Sequence, residues 1–124
     1  MILIGDKLVP FEDICFIESI ENISSSKANS TLIFNYNQSL LKYCFENSLE
    51  FAVVVNSIKE AIYVNSLNGK YIISEKNLAK HIQKVADNYM FDSKNLTIIE
   101  HSDEIEQVSK DEIDGVIYTN LLKK

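Results

Sequence analysis

The chain has 124 residues, of which 46% are hydrophobic and 24% charged, and its net charge is −6. These values are typical of a single globular domain over residues 1–124, and one proline with three glycines excludes a long linker. All twelve basic residues are lysines. Without the guanidinium fork of arginine or a basic stripe, binding to nucleic acid is not expected.

The N-terminal run Met1–Gly5 is apolar for only a few residues before Asp6 and Lys7. It is too short for a signal peptide or a membrane span, so we expect a cytoplasmic protein that does not bind a membrane. The region from Met1 to Val9 fits a short edge strand or hairpin, because Pro10 lacks the N–H that a central strand needs.

Six short apolar runs rich in β-branched residues predict the strands of a parallel sheet. They recur about every twenty residues, the length of one strand plus one crossover helix. Phe51–Val55 is apolar without alternation, so both of its faces must be covered, and we place it at the centre of the sheet. The six runs are Ile14–Ile17, Thr31–Phe34, Phe51–Val55, Tyr71–Ile73, Leu96–Ile99 and Val116–Tyr118.

This alternation predicts an α/β fold. We expect one three-layer, doubly wound domain, with a mostly parallel sheet of five to six strands flanked by helices, as in flavodoxin-like proteins. A different arrangement is a half-barrel that pairs with itself, because the chain has about half the length of a (β/α)₈ barrel.

The segments between the runs predict the crossover helices. Glu18–Ser26 is at most a short helix, whereas Gln38–Ser48 carries an apolar stripe. Ser57 and Glu60 have capping-box spacing, so a helix begins there, with Ile58, Ala61 and Ile62 facing inward, and ends at Asn68 and Gly69. Ser74 and Ser102 are the predicted caps of the last two helices. The inward stripe of the first of these two comprises Leu78, Ile82, Val85, Ala86, Tyr89 and Met90.

Polar side chains follow the predicted strands, where ligands gather in parallel sheets. Amides, hydroxyls and one imidazole at this edge can hold a small ligand through hydrogen bonds. Asn and Ser are also the preferred helix caps, and capping explains most of these positions. The candidate ligand-binding residues are Asn35, Asn56, Ser57, Ser74, Glu100 and His101.

The alternation resembles that of bacterial receiver domains. That family has acids after the first strand, Asp after the third, Ser or Thr after the fourth and Lys after the fifth. The corresponding residues here are Glu18, Asn56, Ser74 and Glu100, so the nucleophilic carboxylate and the lysine are both replaced. The resemblance therefore implies a shared architecture and a role in protein contacts, without phosphoryl transfer.

No sequence motif indicates a cofactor or a metal. No glycine links a strand to a helix as in a phosphate-binding loop. Cys15 and Cys44 have neither CxxC spacing nor a neighbouring histidine, which favours two buried thiols in a reducing compartment. Glu100, His101 and Asp103 are the densest group of acid–base side chains, and a solvated loop at a helix start is the simpler interpretation. We therefore expect no catalytic residue, no cofactor and no metal.

Acidic residues are concentrated near the C-terminus and fit either a solubilising helix face or a surface for a basic partner. We interpret the chain as a non-enzymatic module that acts through protein–protein contacts or as a homo-oligomer. The alternative is a small-molecule-binding protein or enzyme with its site at the carboxyl ends of the strands. The acidic residues are Glu100, Asp103, Glu104, Glu106, Asp111, Glu112 and Asp114.

Overall fold

A computed structural model describes residues 1–122, so the last two residues of the predicted domain lie outside it. The strands are β1 (Ile2–Ile4), β2 (Ile14–Phe16), β3 (Thr31–Asn35), β4 (Phe51–Val54), β5 (Tyr71–Ser74), β6 (Lys94–Ile99) and β7 (Gly115–Tyr118). The α-helices are α1 (Glu21–Ser24), α2 (Gln38–Glu46), α3 (Ile58–Ser66), α4 (Lys76–Tyr89) and α5 (Ile105–Lys110). Two short 3₁₀ helices cover Ser102–Glu104 and Thr119–Leu122.

The seven strands form one all-parallel sheet in the order β1-β7-β6-β5-β4-β3-β2, and the sheet curls strongly into a half-barrel. From β2 to β7 each strand pairs with the next one along the chain. The predicted doubly wound order is therefore wrong, because the chain winds in one direction only. Right-handed crossovers between successive neighbours place the crossover helices on the same face of the sheet, so the third layer of crossover helices is absent.

The core confirms this one-sided arrangement. On the convex face, strand residues such as Phe34 and Val53 pack with Leu40 of α2, Val64 of α3 and Ile82 of α4. On the concave face, the buried cluster contains only strand residues, with Leu121 and Leu122 of the C-terminal 3₁₀ helix packed against it. The chain itself thus covers part of its concave face. The buried concave residues are Ile4, Ile33, Ala52, Tyr71, Ile73, Leu96 and Ile117.

The six predicted runs all form strands, but the sheet has seven strands rather than five to six, because β1 joins it as an N-terminal edge strand, one of the two predicted forms of that region. It pairs in parallel with β7 rather than forming a hairpin. Strand β4 is an interior strand with both faces largely buried, as predicted, but β5 occupies the centre of the sheet. The reason is that β1 adds a strand beside β7, which moves the midpoint of the sheet from between β5 and β4 onto β5.

Residues 5–13, here called the crossing segment, connect the two edge strands across the open side of the half-barrel. At the end of β1, Asp6 Oδ2 accepts a hydrogen bond from the hydroxyl of Tyr118 at 2.7 Å. At the other end of the sheet, Glu12 accepts hydrogen bonds from Tyr71 Oη at 2.8 Å and Thr31 Oγ1 at 3.0 Å. It also pairs with Lys70 Nζ at 2.5 Å. The segment is therefore anchored at opposite ends of the parallel strands.

Several predicted helix details are corrected by the structure. Ser57 caps α3 as predicted, whereas Ser74 is the buried last residue of β5 and Glu75 occupies the cap position of α4. His101, rather than Ser102, precedes the first turn of the last helical segment. In the first case β5 extends one residue beyond the apolar run, so the cap moves from Ser74 to Glu75. In the second case β6 ends at Ile99 as predicted, and the helical segment begins one residue earlier, so the cap moves from Ser102 to His101.

The predicted inward stripes of α3 and α4 are also partly wrong. Ala61 and Val64 are the buried residues of α3, while Ile58 and Ile62 remain 36% and 45% exposed. At the end of α4, Tyr89 and Met90 are exposed because the chain leaves the helix there in a left-handed turn. Helical spacing alone predicts that Ile58 and Ile62 of α3, and Tyr89 and Met90 of α4, face the core. Their burial also depends on the angle at which each helix lies on the curled sheet. In the α4 stripe Ile82 and Ala86 are buried, and Leu78 and Val85 are partly buried.

Four helices end in the same way. In each, a residue with positive φ is followed by a residue whose N–H donates to a carbonyl five residues earlier, which is the Schellman arrangement. The left-handed residues are Ser48, Asn68, Met90 and Glu112. The hydrogen bonds are Leu49 N–H to Cys44 O, Gly69 N–H to Val64 O, Phe91 N–H to Ala86 O and Ile113 N–H to Val108 O.

Met90 is the best position at which to test the cost of these left-handed turns. Its φ is 53° and its side chain is 83% exposed, so little packing is lost on substitution. We expect the free energy of unfolding of Met90→Gly to be about 0.5–1 kcal/mol higher than that of Met90→Ala, because the Cβ of alanine is strained in the left-handed conformation and glycine has no Cβ. Urea denaturation of both variants measures the difference. Equal stabilities would contradict the assigned left-handed conformation.

Glu12 is the second test position. Burial opposes ionisation, but hydrogen bonds from Lys70, Tyr71 and Thr31 together lower the pKa of Glu12 below its usual 4.5. We expect Glu12→Gln to lower the free energy of unfolding by about 1 kcal/mol near neutral pH, after allowance for solvent screening.

The loss should depend on pH in a defined direction. A carboxyl whose pKa is depressed on folding stabilises the protein above pH 4.5 and loses this effect as the pH falls further. The difference between wild type and Glu12→Gln is therefore expected to shrink below pH 4.5. A matched control is Glu46→Gln on the exposed end of α2, which removes a carboxylate outside the contacts of Glu12 and should not reproduce this loss.

Candidate functional site

The carboxyl ends of β1, β5, β6 and β7 form one side of the half-barrel opening, here called the mouth. Two open clefts lie there and share Glu100 and His101. The larger has a volume of about 940 Å³ and includes Asp6, Leu8, Val9, Asp103 and Tyr118 among its lining residues. The smaller, about 540 Å³, is lined by residues of α4 and β6 together with Thr119. Both volumes lie in the range of small-molecule sites.

Glu104 holds the loop that carries Glu100 and His101. Its Oε2 accepts hydrogen bonds from the backbone N–H of Glu100 at 2.7 Å and of His101 at 2.9 Å. Its other carboxylate oxygen pairs with the ammonium of Lys76, in the first turn of α4. The β6–α5 loop is thus tied both to its own backbone and to the neighbouring helix.

These contacts control the ionisation of Glu104. The hydrogen bond from Lys76 lowers the pKa of Glu104 most, the two backbone N–H groups add to it, and partial burial opposes it. The resulting pKa is about 2, so this carboxylate remains charged at any physiological pH. Glu104 therefore positions the loop through its carboxylate.

The opposite wall of the larger cleft is held by Asp6. The backbone N–H of Leu8 donates to Asp6 Oδ1 at 2.8 Å, and the Tyr118 hydroxyl donates to Oδ2. Both bonds lower the pKa of Asp6 below its usual range, and the same contact raises the pKa of Tyr118. The start of the crossing segment is thereby fastened to the end of β7.

The six predicted site residues do not gather in one place. Asn35 and Asn56 are exposed at the ends of β3 and β4, and Asn56 donates its backbone N–H to Glu60 at 2.8 Å. Ser57 Oγ caps α3 by accepting from the N–H of Glu60, so capping accounts for it. Of the six, Glu100 and His101 alone line the two mouth clefts. A ligand-binding role for any of them stays a prediction.

Ser74 differs from the other candidates because it is buried. It is 1% exposed, its carbonyl accepts a hydrogen bond from Thr97 at 3.1 Å, and its hydroxyl has no hydrogen-bond partner in the protein. It does not line either mouth cleft.

The remaining reactive groups offer little chemistry at the mouth. Cys44 is fully buried, and burial raises the pKa of its thiol to about 11, whereas Cys15 is half-buried in β2. Among residues 1–122 no three histidine, cysteine or acidic side chains are arranged to hold a metal ion. Within this range His101 is an exposed imidazole that lines both mouth clefts.

Sequence reasoning missed the contribution of the crossing segment to the mouth. Leu8 and Val9 line the larger cleft and remain 88% and 37% exposed. The sequence feature that could have indicated it is the uncharged run Leu8–Phe11. Because this run has neither helical nor strand periodicity, it is not expected to be part of the core. Its position beside Glu100 depends on the path of the segment across the half-barrel.

No known family model matches this sequence, and no curated protein is similar enough to match it. None of the helices within residues 1–122 combines the length and apolar character needed to span a membrane.

The Lys76–Glu104 pair gives a direct test of the loop geometry. We expect Lys76→Met to raise the pKa of Glu104 from about 2 toward its usual 4.5, because the largest lowering contact is removed. Carbon-detected NMR of the side-chain carboxyl, titrated with acid, measures this change. Lys80→Met is the matched control, since Lys80 lies one turn further along α4 and pairs with Asp111. An unchanged titration in Lys76→Met would contradict the pairing.

Proposed function

We propose that this protein is a non-enzymatic α/β module that binds another protein through the mouth. The contact surface, here called the mouth surface, consists of Leu8 and Val9 with the acidic side chains Glu100 and Asp103 beside them. The observation that carries the proposal is the exposure of Leu8, which is 88% accessible although it is a large apolar residue. Apolar groups exposed beside polar ones are typical of interaction sites.

The apolar part of this surface is larger than one side chain. Leu8 and Val9 are both exposed in a stretch of the crossing segment that carries no charge between Lys7 and Glu12. Because Asp6 and Glu12 anchor the two ends of the segment, these apolar residues are presented on a fixed backbone. A fixed surface loses little conformational entropy when a partner binds.

The acidic part of the surface contains only some of the acidic residues between Glu100 and Asp114. Glu104 pairs with Lys76, Asp111 lies 3.7 Å from Lys80, and the Asp114 carboxylate accepts a hydrogen bond from Gln83. These acids therefore serve the structure of the C-terminal region. Glu100 and Asp103 remain exposed at the larger cleft.

This combination favours a partner with an apolar side chain flanked by basic residues. Opposite charges around an apolar centre speed association and fix its register. A second copy of this chain fits less well, because a twofold contact at the mouth brings Glu100 and Asp103 close to the same acids of the other copy. Self-association through this surface is therefore an outcome that would contradict the proposal.

The test uses two synthetic amphipathic helical peptides, one of leucine and lysine and one of leucine and glutamate. Fluorescence anisotropy is expected to detect binding of the lysine peptide alone, weakening as salt is raised. The double variant Leu8→Ser with Val9→Ser should bind this peptide at least about tenfold more weakly, because the apolar anchor is lost.

The matched control is Tyr89→Ser with Met90→Ser. These residues are 72% and 83% exposed at the end of α4 that lies away from the mouth, so this variant loses similar apolar area elsewhere. It should bind the lysine peptide like the wild type. Equal weakening in both double variants, or none in either, would contradict the mouth surface as the site.

A second candidate function is small-molecule binding at the neighbouring cleft of about 540 Å³. It is favoured by Lys76, Glu104 and His101, which line that cleft together with the half-buried Thr119 that follows β7. Native mass spectrometry of tag-free protein from its own cell extract distinguishes the two. Extra mass that is lost on denaturation, and is absent in His101→Ala, would favour the small-molecule site.

A further inference from the structure

The α3–β5 turn contains the dipeptide Asn68–Gly69 in an unusual setting. Asn68 is exposed and has a φ of 65°, whereas Gly69 is buried against Val64 and Phe51. Of the five non-glycine residues with positive φ within residues 1–122, Asn68 is the one followed by glycine. A glycine at the following position leaves the backbone nitrogen without a Cβ beside it, which makes that nitrogen accessible to a neighbouring side chain.

We propose that Asn68–Gly69 is a modification site at which the asparagine amide is lost, and that the folded turn keeps the site closed. In the reaction, the backbone nitrogen of Gly69 attacks Cγ of Asn68. An N–Cγ bond forms, the Cγ–Nδ2 bond breaks, and ammonia leaves with the proton from the glycine nitrogen. Water then opens the cyclic imide at either carbonyl, leaving aspartate or isoaspartate at position 68.

The closed state follows from the hydrogen bonds of Gly69. Its N–H donates to Val64 O at 2.9 Å, so the attacking nitrogen is held in the helix end. Its carbonyl accepts from Ser93 Oγ at 2.5 Å. Ser93 is itself held, because its N–H donates to Asn65 Oδ1 at 3.1 Å. The nitrogen can reach Cγ only when this group of contacts opens locally.

Isoaspartate at position 68 does not fit the closed turn. It places an additional backbone carbon between residues 68 and 69, which moves Gly69 out of register with Val64 O. Gly69 has no room to move toward the helix, since a Cβ built on it would lie 2.4 Å from Val64 Cγ1. The next residue is Lys70, the ionic partner of Glu12, so the change also reaches the anchor of the crossing segment.

Peptide mapping by mass spectrometry tests the proposal, with the protein incubated in mildly alkaline buffer either folded or unfolded in urea. Conversion at Asn68 is expected to be at least roughly tenfold faster in urea than in the folded protein. Asn29 is the internal reference, because its φ of 66° matches that of Asn68 while Ser30 follows it. It should convert more slowly than Asn68 in urea.

Ser93→Ala tests the closing contacts separately. Removing the bond to Gly69 O should increase conversion in the folded protein by roughly fivefold and leave the rate in urea unchanged. If Ser93→Ala does not fold, Asn65→Ala is used in its place, because it removes the hydrogen bond from Ser93 N–H to Asn65 Oδ1. Equal rates in folded and unfolded wild type, no conversion at Asn68 in urea, or an unaltered folded rate in the variant would each overturn the proposal.

Discussion

The short connection between the two edge strands is the constraint on which the structure depends. Nine residues, 5–13, join β1 to β2, although these strands lie at opposite edges of a seven-stranded sheet. In a flat sheet the edges would be about 29 Å apart, and nine fully extended residues reach about 30 Å. The segment is not extended, since Gly5 has a φ of 94° and Leu8 bonds back to Asp6. The sheet must therefore curl until its edges approach each other.

Curling determines which surfaces the molecule presents. Because the crossover helices lie on the convex side, the concave side is left to strand residues and the C-terminal 3₁₀ helix, with the crossing segment bonded to Tyr71 through Glu12. The crossing segment begins at the mouth, so the uncharged Leu8 and Val9 lie beside Glu100 and Asp103. Leu8 and Val9 alone form an apolar surface, and Glu100 and Asp103 alone form an acidic one. The same anchors that close the half-barrel thus create the combination of apolar and acidic groups on which the proposed function rests.

Several charged and polar side chains hold local turns against the curled sheet through hydrogen bonds. Glu104 fixes the β6–α5 loop through two backbone N–H groups and Lys76. Asp114 accepts from the backbone N–H of Asn95 at 2.9 Å and links β6 to Gln83 of α4. The buried Asn95 and Gln83, with the partly buried Asp114, thus connect neighbouring βα units, and no charged residue within residues 1–122 is buried. The acids that remain outside such networks are the ones available for a partner.

The sequence by itself determined the elements, and the tertiary structure decided their arrangement. All six strands and the cap at Ser57 were predicted correctly, because apolar runs and capping side chains act over a few neighbouring residues. Strand order, the exposure of Ile58 and Met90, and the approach of Leu8 to Glu100 were not predictable locally. A parallel sheet built from alternating strands and helices is compatible with both doubly wound and barrel-like order. The choice depends on which edges the short connections can reach, a property of the whole chain.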